Sequence, residues 1–171
     1  MEQAMRRMSI VAAGLAALTL MTQAATASVQ VTFVNPQNYN DRDFRSSGTR
    51  DGVIAEFQRY FGRLGSRYLK DGQSVRIEVI DARLAGEYGP WRPRFNDVRI
   101  LRDITPPRFK LRYTLTQGKR VLAKGEETVS DINYLWNPSA QNSSERFAYE
   151  KDMLRDWFRK RFVELKAPRA S

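Results

Sequence analysis

The sequence predicts an α+β fold: a two-layer sandwich in which a largely antiparallel sheet of four to five strands carries two helices on one face, in the order β-α-β-β-β-β-α. Three observations predict it. Short segments alternate apolar and polar residues, the period of a half-buried strand. Two longer segments repeat apolar residues every three or four positions, the period of an amphipathic helix. Clusters of Pro, Gly, Asn and Asp separate these segments.

The first strand is Val29–Phe33, closed by Asn35-Pro36. Residues 36–49 are polar and turn-rich and form a long loop. The first helix runs from about Arg50 to Leu69, with Thr49 as N-cap and Asp51 at the positive end of its dipole. Val53, Phe57, Tyr60, Phe61, Leu64 and Tyr68 share its apolar face, and Arg59, Arg63 and Arg67 recur at four-residue steps on another. Gly62 and Gly65 weaken this helix but permit close packing on a sheet. Asp71-Gly72 stops it.

Val75, Ile77 and Val79 alternate with Arg76 and Glu78, and the apolar phase then flips to Ile80, Ala82 and Leu84. One extra residue, a β-bulge near Val79-Ile80, accounts for the flip. Val98–Arg102 is a short strand candidate, broken by Thr105-Pro106-Pro107. Phe109, Leu111, Tyr113 and Leu115 point one way along the clearest strand, and Lys110, Arg112 and Thr114 the other. Gln117-Gly118-Lys119 is a tight turn into Val121–Val129, with Gly125 as a bulge or bend. After a second long loop, 130–143, Asn142 and Glu145 make a capping box for the last helix. Phe147, Leu154, Phe158, Phe162 and Leu165 share one face of that helix, flanked by Met153 and Trp157. The tail from Lys166 frays.

The first 27 residues read as a cleavable secretory signal. Arg6 and Arg7 precede the apolar run Met8–Thr22, and Ala25-Thr26-Ala27 supplies small residues for cleavage. That run is shorter than the roughly 20 apolar residues a spanning helix needs, so no transmembrane anchor is expected in the mature chain. Cysteine is absent, which excludes a lipid-anchored lipoprotein and any disulfide. The expectation is a periplasmic protein whose residues 28–171 form a single α+β domain.

Lys and Arg number 29 against 19 Asp and Glu, a net charge of +10. Removing residues 1–27 takes away Arg6, Arg7 and Glu2 and leaves +9. Arginine dominates the cations, and its guanidinium forks onto carboxylates and phosphates, which suits an anionic partner. Export argues against nucleic acid. Histidine is absent as well, which removes Ser-His-Asp and Cys-His catalysis and the familiar zinc sites. No dinucleotide, P-loop or GxSxG motif occurs, so no cofactor is expected. Carboxylate chemistry is the enzyme route left: Asp81, Glu87, Asp97 and Asp103 flank aromatic residues, as in glycoside hydrolysis. Arginines at 83, 92, 94, 99 and 102 make ion pairs the default for these acids. Asp41 and Asp43 could serve calcium, but no glycine-hinged ligand loop surrounds them. No catalytic or metal-ligating residue is assigned.

Tyr88, Trp91 and Arg92, in a segment stiffened by Pro90 and Pro93, either fold back to cap the sheet core or form a lip that grips a ligand. Ser130–Leu135 offers a second polar loop, in which Asp131 and Asn133 cap turns or line a pocket beside Tyr134.

GEYGPW (86–91), VRILRDITPPRFKLRYTL (98–115), GEETVSDINYL (125–135) and YEKDMLRDWF (149–158) together resemble a bacterial family of small exported proteins, domain-of-unknown-function family 3016. The resemblance spans Val29 to about Phe162. It implies export and a single domain, and carries no activity, cofactor or catalytic residue. The element order is also similar, at fold level alone, to the lipopolysaccharide-assembly lipoproteins.

The reading that results is a non-catalytic envelope protein. It binds an anionic envelope component, or an envelope protein, through the open sheet face (Lys110, Arg112, Arg76 and Arg120) and the 86–94 segment. The candidate binding residues are Tyr88, Trp91, Arg92, Arg102, Asp103, Lys110, Arg112, Asp131, Asn133 and Tyr134. The alternatives are a carboxylate-dependent cell-wall glycoside hydrolase, and a structural or chaperone-like protein with an exposed apolar groove.

Overall fold

In the computed structural model, residues 26–89 and 98–166 are described; most of the expected leader, together with Trp91, Arg92, Asp97 and the tail from 167, lies outside them. Strand β1 (Ser28–Phe33) leads through a 3-10 turn to the single-turn helix α1 (Arg42–Arg45) and the long helix α2 (Ser47–Tyr68). Strands β2 (Gln73–Arg83), β3 (Glu87–Tyr88), β4 (Arg99–Ile100), β5 (Arg108–Gln117) and β6 (Arg120–Ser130) follow, then α3 (Pro138–Gln141) and α4 (Ala148–Phe158). The main sheet has the order β1-β2-β5-β6. The crossover through α2 makes β1 and β2 parallel, whereas the remaining pairs are antiparallel. The fold class is therefore the one predicted, with four strands in the main sheet. The Val98–Arg102 candidate is reduced to β4, which pairs with β3 in a separate ribbon.

The phase flip in β2 has the expected cause. The register steps from Val79↔Leu111 to Asp81↔Lys110, leaving Ile80 as the extra residue. Ala82 and Leu84 thereby turn inward and are fully buried. A second bulge falls in β6, where Leu115 faces Ala123 and Thr116 faces Val121. Gly125 is not that bulge. It lies opposite Tyr113, and a Cβ there would stand 3.0 Å from the Tyr113 hydroxyl oxygen, so the glycine makes room for the ring.

Both helices lie on one side of the sheet. Val53, Phe57, Phe61 and Leu64 of α2 and Leu154, Trp157 and Phe158 of α4 pack with Val75, Ile77, Val79, Phe109, Leu111, Tyr113 and Leu115. Past α4 the chain tightens into a π-helical turn, Arg159–Val163, which seats the Phe162 ring 5.4 Å from Tyr113 and 5.2 Å from Trp157. Leu165, expected on the same buried face, is exposed because the helical turn ends before it.

The helix starts differ from expectation. α2 begins at Ser47, and Thr49 is no cap: its hydroxyl donates 2.8 Å to the Asp43 carbonyl within the α1 turn. Asn142 and Glu145 make no capping box. Asn142 closes α3, and α4 starts after Phe147, whose φ of 60° breaks the chain direction. Glu145 is drawn instead to Lys151 at 2.8 Å, and the Phe147 ring stacks on Phe57 at 5.2 Å. Charge pairing and aromatic burial outweigh a local cap.

Gly65 is where α2 meets β1. A Cβ on it would come within 2.2 Å of a Val29 methyl and 3.3 Å of Val29 Cβ. Gly62 has nothing within 4 Å and carries no such contact. Gly65→Ala is accordingly expected to destabilise the fold by about 1–3 kcal/mol despite the better helix propensity of alanine. Gly62→Ala is expected to be neutral or stabilising. Urea unfolding of the two variants checks both.

Candidate functional site

Among the described residues no helix covers the second face of the sheet, and the strand register arranges its side chains in rows. In one row Glu78, Arg112 and Glu126 face outward side by side. The Arg112 guanidinium donates to Glu78 at 2.8 Å and to Glu126 at 2.9 and 3.0 Å. Lys110 reaches diagonally to Glu126 at 3.0 Å, and Arg108 to Asp81 at 3.1 Å. Lys110 and then Arg112 hold the Glu126 carboxyl below its ordinary pKa, and Glu78 followed by Glu126 raises that of Arg112. Lys110 and Arg112, expected to be open contact points, are thus partly neutralised within the sheet.

The neighbouring rows differ. Arg76, Thr114 and Lys124 lie abreast, with Gln30 beyond Arg76. Neither Arg76 nor Lys124 has a carboxylate within ion-pair distance among the described residues. At the end of the strands Arg83 faces Arg108, and Arg83 likewise has no described acid partner. Adjacent strands stand about 4.8 Å apart, so Arg76 and Lys124 flank the Thr114 hydroxyl at roughly 10 Å from each other. Such spacing suits an incoming anionic group, whereas the Glu78-Arg112-Glu126 row is internally satisfied.

A second cluster lies where β2 and β6 end. Asp41 caps α1 by accepting from the Asp43 amide at 2.9 Å, and its other oxygen accepts from the Leu84 amide at 2.9 Å. Arg99, on β4, donates to Asp41 at 2.6 Å and to Asp43 at 3.1 Å. Burial opposes the charge on Arg99, but the two carboxylates outweigh it and raise its pKa. Tyr88 donates to both oxygens of Asp43, at 2.8 and 3.0 Å, with its ring 4.6 Å from the Arg42 guanidinium and 4.9 Å from that of Arg99. Burial, followed by Asp43, raises the pKa of its hydroxyl. Glu150 of α4 accepts from the Ala85 amide at 2.7 Å, and burial raises its pKa. Every arm of this cluster ties the start of the 84–102 segment to α1 and α4.

The predicted residues therefore fall in separate places. Lys110 and Arg112 lie on the sheet face. Tyr88 is half-buried, and its hydroxyl is held by Asp43 in the second cluster. The Tyr134 ring is buried, and its hydroxyl donates to the Arg102 carbonyl at 2.7 Å and accepts from the Arg102 amide at 3.0 Å, joining the two loops. The Arg102 guanidinium pairs with Glu87 at 3.2 Å. Asp103 accepts from the next amide, at Ile104, at 2.9 Å. Asp131 accepts from the Asn133 amide at 3.0 Å, a turn cap, and Asn133 is exposed. Trp91 and Arg92 lie outside the described residues. The described ones among these groups do not converge on one pocket.

Of the four acids considered for carboxylate chemistry, Asp97 lies outside the described residues. Asp81 is paired to Arg108, Glu87 to Arg102, and Asp103 caps a turn, so the described candidates form no facing pair of acids. The Asp41 and Asp43 oxygens considered for calcium are occupied by Arg99, Tyr88 and backbone amides. Sequence reasoning missed Arg99 and Glu150 as cluster members. The one signal for Arg99 was its place in an acid-rich neighbourhood, and for Glu150 there was none, since a glutamate in a charged helix segment looks solvated.

Fold and site together define a two-layer α+β protein with one sheet face left uncovered by the described helices and its irregular segment anchored by the half-buried Arg99. The chain belongs to the family described as Protein of unknown function (DUF3016), whose sequence profile matches residues 27–160. No curated protein matches it. Among solved structures it is similar to the crystal structure of a Xanthomonas campestris protein of the DUF330 family, at 15% identity over 84% of this chain and 85% of that one. The TM-score of 0.27 is too low to carry an argument about fold or function.

Proposed function

We propose that this is an exported, non-catalytic protein of the cell envelope that docks an anionic envelope component on its uncovered sheet face. One observation carries the reading: Arg76, Arg83 and Lys124 stand on that face without acid partners among the described residues, beside acids already committed to Arg108, Lys110 and Arg112. The leader-like first 27 residues support export to the periplasm, and among the described residues no helix is long and apolar enough to cross a membrane. Recovery of the cellular protein with Ser28 as its first residue is the expected sign of that export.

The binding test uses vesicles of phosphatidylglycerol against vesicles of phosphatidylcholine. Sedimentation with the anionic vesicles is expected at about 50 mM salt and is expected to fade by about 500 mM, because exposed charges are screened over a few ångströms there. The double reversal R76E/K124E is expected to weaken it by roughly tenfold or more, at about 1 kcal/mol per surface cation. Binding that is indifferent to salt or to this reversal contradicts the reading.

A protein partner is favoured by a different observation. Ile104, Ile132 and Trp136 are 72%, 73% and 83% exposed, on loops joined through the Tyr134–Arg102 bonds. Exposed apolar side chains on two linked loops suit a protein contact. This supports the structural or chaperone-like alternative, and Trp136→Ala separates it from anion docking because it leaves vesicle binding unchanged.

A further inference from the structure

Between α2 and the α3–α4 stretch lies a cavity of about 350 Å³ to which the sheet contributes no residue. It is on the helical side of the molecule, away from the docking face proposed above. Its walls are cationic: Arg63 and Arg67 from α2 face Lys151 and Arg155 from α4, with Ser139, Ser143, Glu145 and Asp152 between them.

The ion pairs decide which of these charges are available. Lys151 is nearly buried and shared by Glu56 at 2.7 Å and Glu145 at 2.8 Å. Its hydrogen bond, followed by that of Arg59, lowers the Glu56 carboxyl to about 2, and Lys151 also lowers that of Glu145. Arg155 is bonded to Asp152. Both acids in the cavity are therefore committed. Arg63 lies 3.9 Å from a Glu145 oxygen that Lys151 already holds, and Arg67 has no described carboxylate within ion-pair distance.

The two guanidiniums are also oriented. Arg63 lies over the Tyr60 ring at 5.4 Å and Arg67 over the Tyr68 ring at 5.5 Å. A guanidinium resting on an aromatic face keeps its in-plane donors free for a bidentate anion. Four residues apart on one helix, the two side chains start about 6 Å apart, and both line the same cavity. Across the cavity both Asp152 oxygens are already held, by Arg155 and by Asn137, and the groups that face the space beside them are the hydroxyls of Ser139 and Ser143, which suit a hydroxylated ligand body. A volume at the small end of ligand pockets fits a molecule the size of a monosaccharide.

We infer that this cavity binds a phosphorylated sugar, with the phosphate gripped by Arg63 and Arg67 and the sugar hydroxyls turned toward Ser139 and Ser143. The probes are glucose 1-phosphate, inorganic phosphate and glucose, titrated calorimetrically into the mature protein. Glucose 1-phosphate is expected to bind, inorganic phosphate to bind at least tenfold more weakly, and glucose not to bind at all. Arg67→Ala is expected to weaken glucose 1-phosphate by about tenfold and R63A/R67A to abolish its binding, while R76E/K124E leaves it unchanged. Ser139→Ala is expected to weaken glucose 1-phosphate severalfold and leave inorganic phosphate as it was. Arg63 and Arg67 are exposed, so these variants should keep the unfolding midpoint of the parent, which circular dichroism checks. No binding of glucose 1-phosphate, equal binding of inorganic phosphate, or binding that survives R63A/R67A overturns the inference. Since R76E/K124E separates the two surfaces, none of those outcomes bears on the sheet-face reading.

Discussion

Arg99→Met is expected to destabilise the protein by about 3–5 kcal/mol, the cost of leaving buried charge without its counterion. The Arg99 side chain is 17% exposed, and those of Asp41 and Asp43 are 3% and 7% exposed. Methionine keeps much of the packing volume but removes both charge-assisted bonds and the donation from Nη1 to the Gly86 carbonyl at 2.9 Å. Two carboxylates are then left in a site where desolvation disfavours their charge. Arg99→Lys is expected to recover only part of the loss, since an ammonium cannot fork between Asp41 and Asp43. Urea denaturation of the mature chain measures both. Arg112→Ala is the contrasting control: its ion pairs are solvated, and its midpoint should scarcely move.

Phe57→Ala is the second large effect, also about 3–5 kcal/mol. Phe57 is fully buried, with its ring 5.1 Å from Phe109 in an edge contact and 5.2 Å from Phe147 in a stack. One side chain thus joins α2, β5 and the entry to α4. Phe147 occupies a left-handed conformation that costs a non-glycine residue free energy, and its stack with Phe57 helps to offset that cost. The truncation should therefore do more than open a cavity. Hydrogen exchange at the amides of Lys151 and its neighbours in the first turn of α4 should quicken more than global destabilisation alone explains, because the Lys151 amide bonds back to the Phe147 carbonyl. Equal acceleration throughout the chain would show that Phe147 does not depend on this contact.

The sheet was legible in the sequence because period-two alternation is a local signal and one face is buried. Phe109 to Leu115 illustrates it directly, and the flip after Val79 marked a bulge with no further information. α2 was legible for the same reason at period 3.6. What was not legible depends on partners far away in sequence. Glu145 looked like a capping residue until Lys151 and Glu56 were brought beside it. Tyr88 looked like half of a ligand lip, and only the fold shows Asp43 beneath its hydroxyl. Lys110 and Arg112 were correctly placed on the open face, but cross-strand acids, Glu78 and Glu126, decide how much of their charge is left for a partner. Arg76 and Lys124 emerge as the more available pair because of which rows they occupy, and row membership follows from register across three strands. Asp41, Arg99 and Glu150 combine residues separated by more than a hundred positions, which no spacing rule links.

The docking face is tested most directly by nuclear magnetic resonance of the mature, isotope-labelled protein titrated with small phosphatidylglycerol bicelles. Amide shifts should concentrate at Arg76, Thr114 and Lys124 and disappear as salt is raised, with α2 and α4 unaffected. Perturbation confined to the helices, or a sheet face that stays silent while the protein binds, would contradict it.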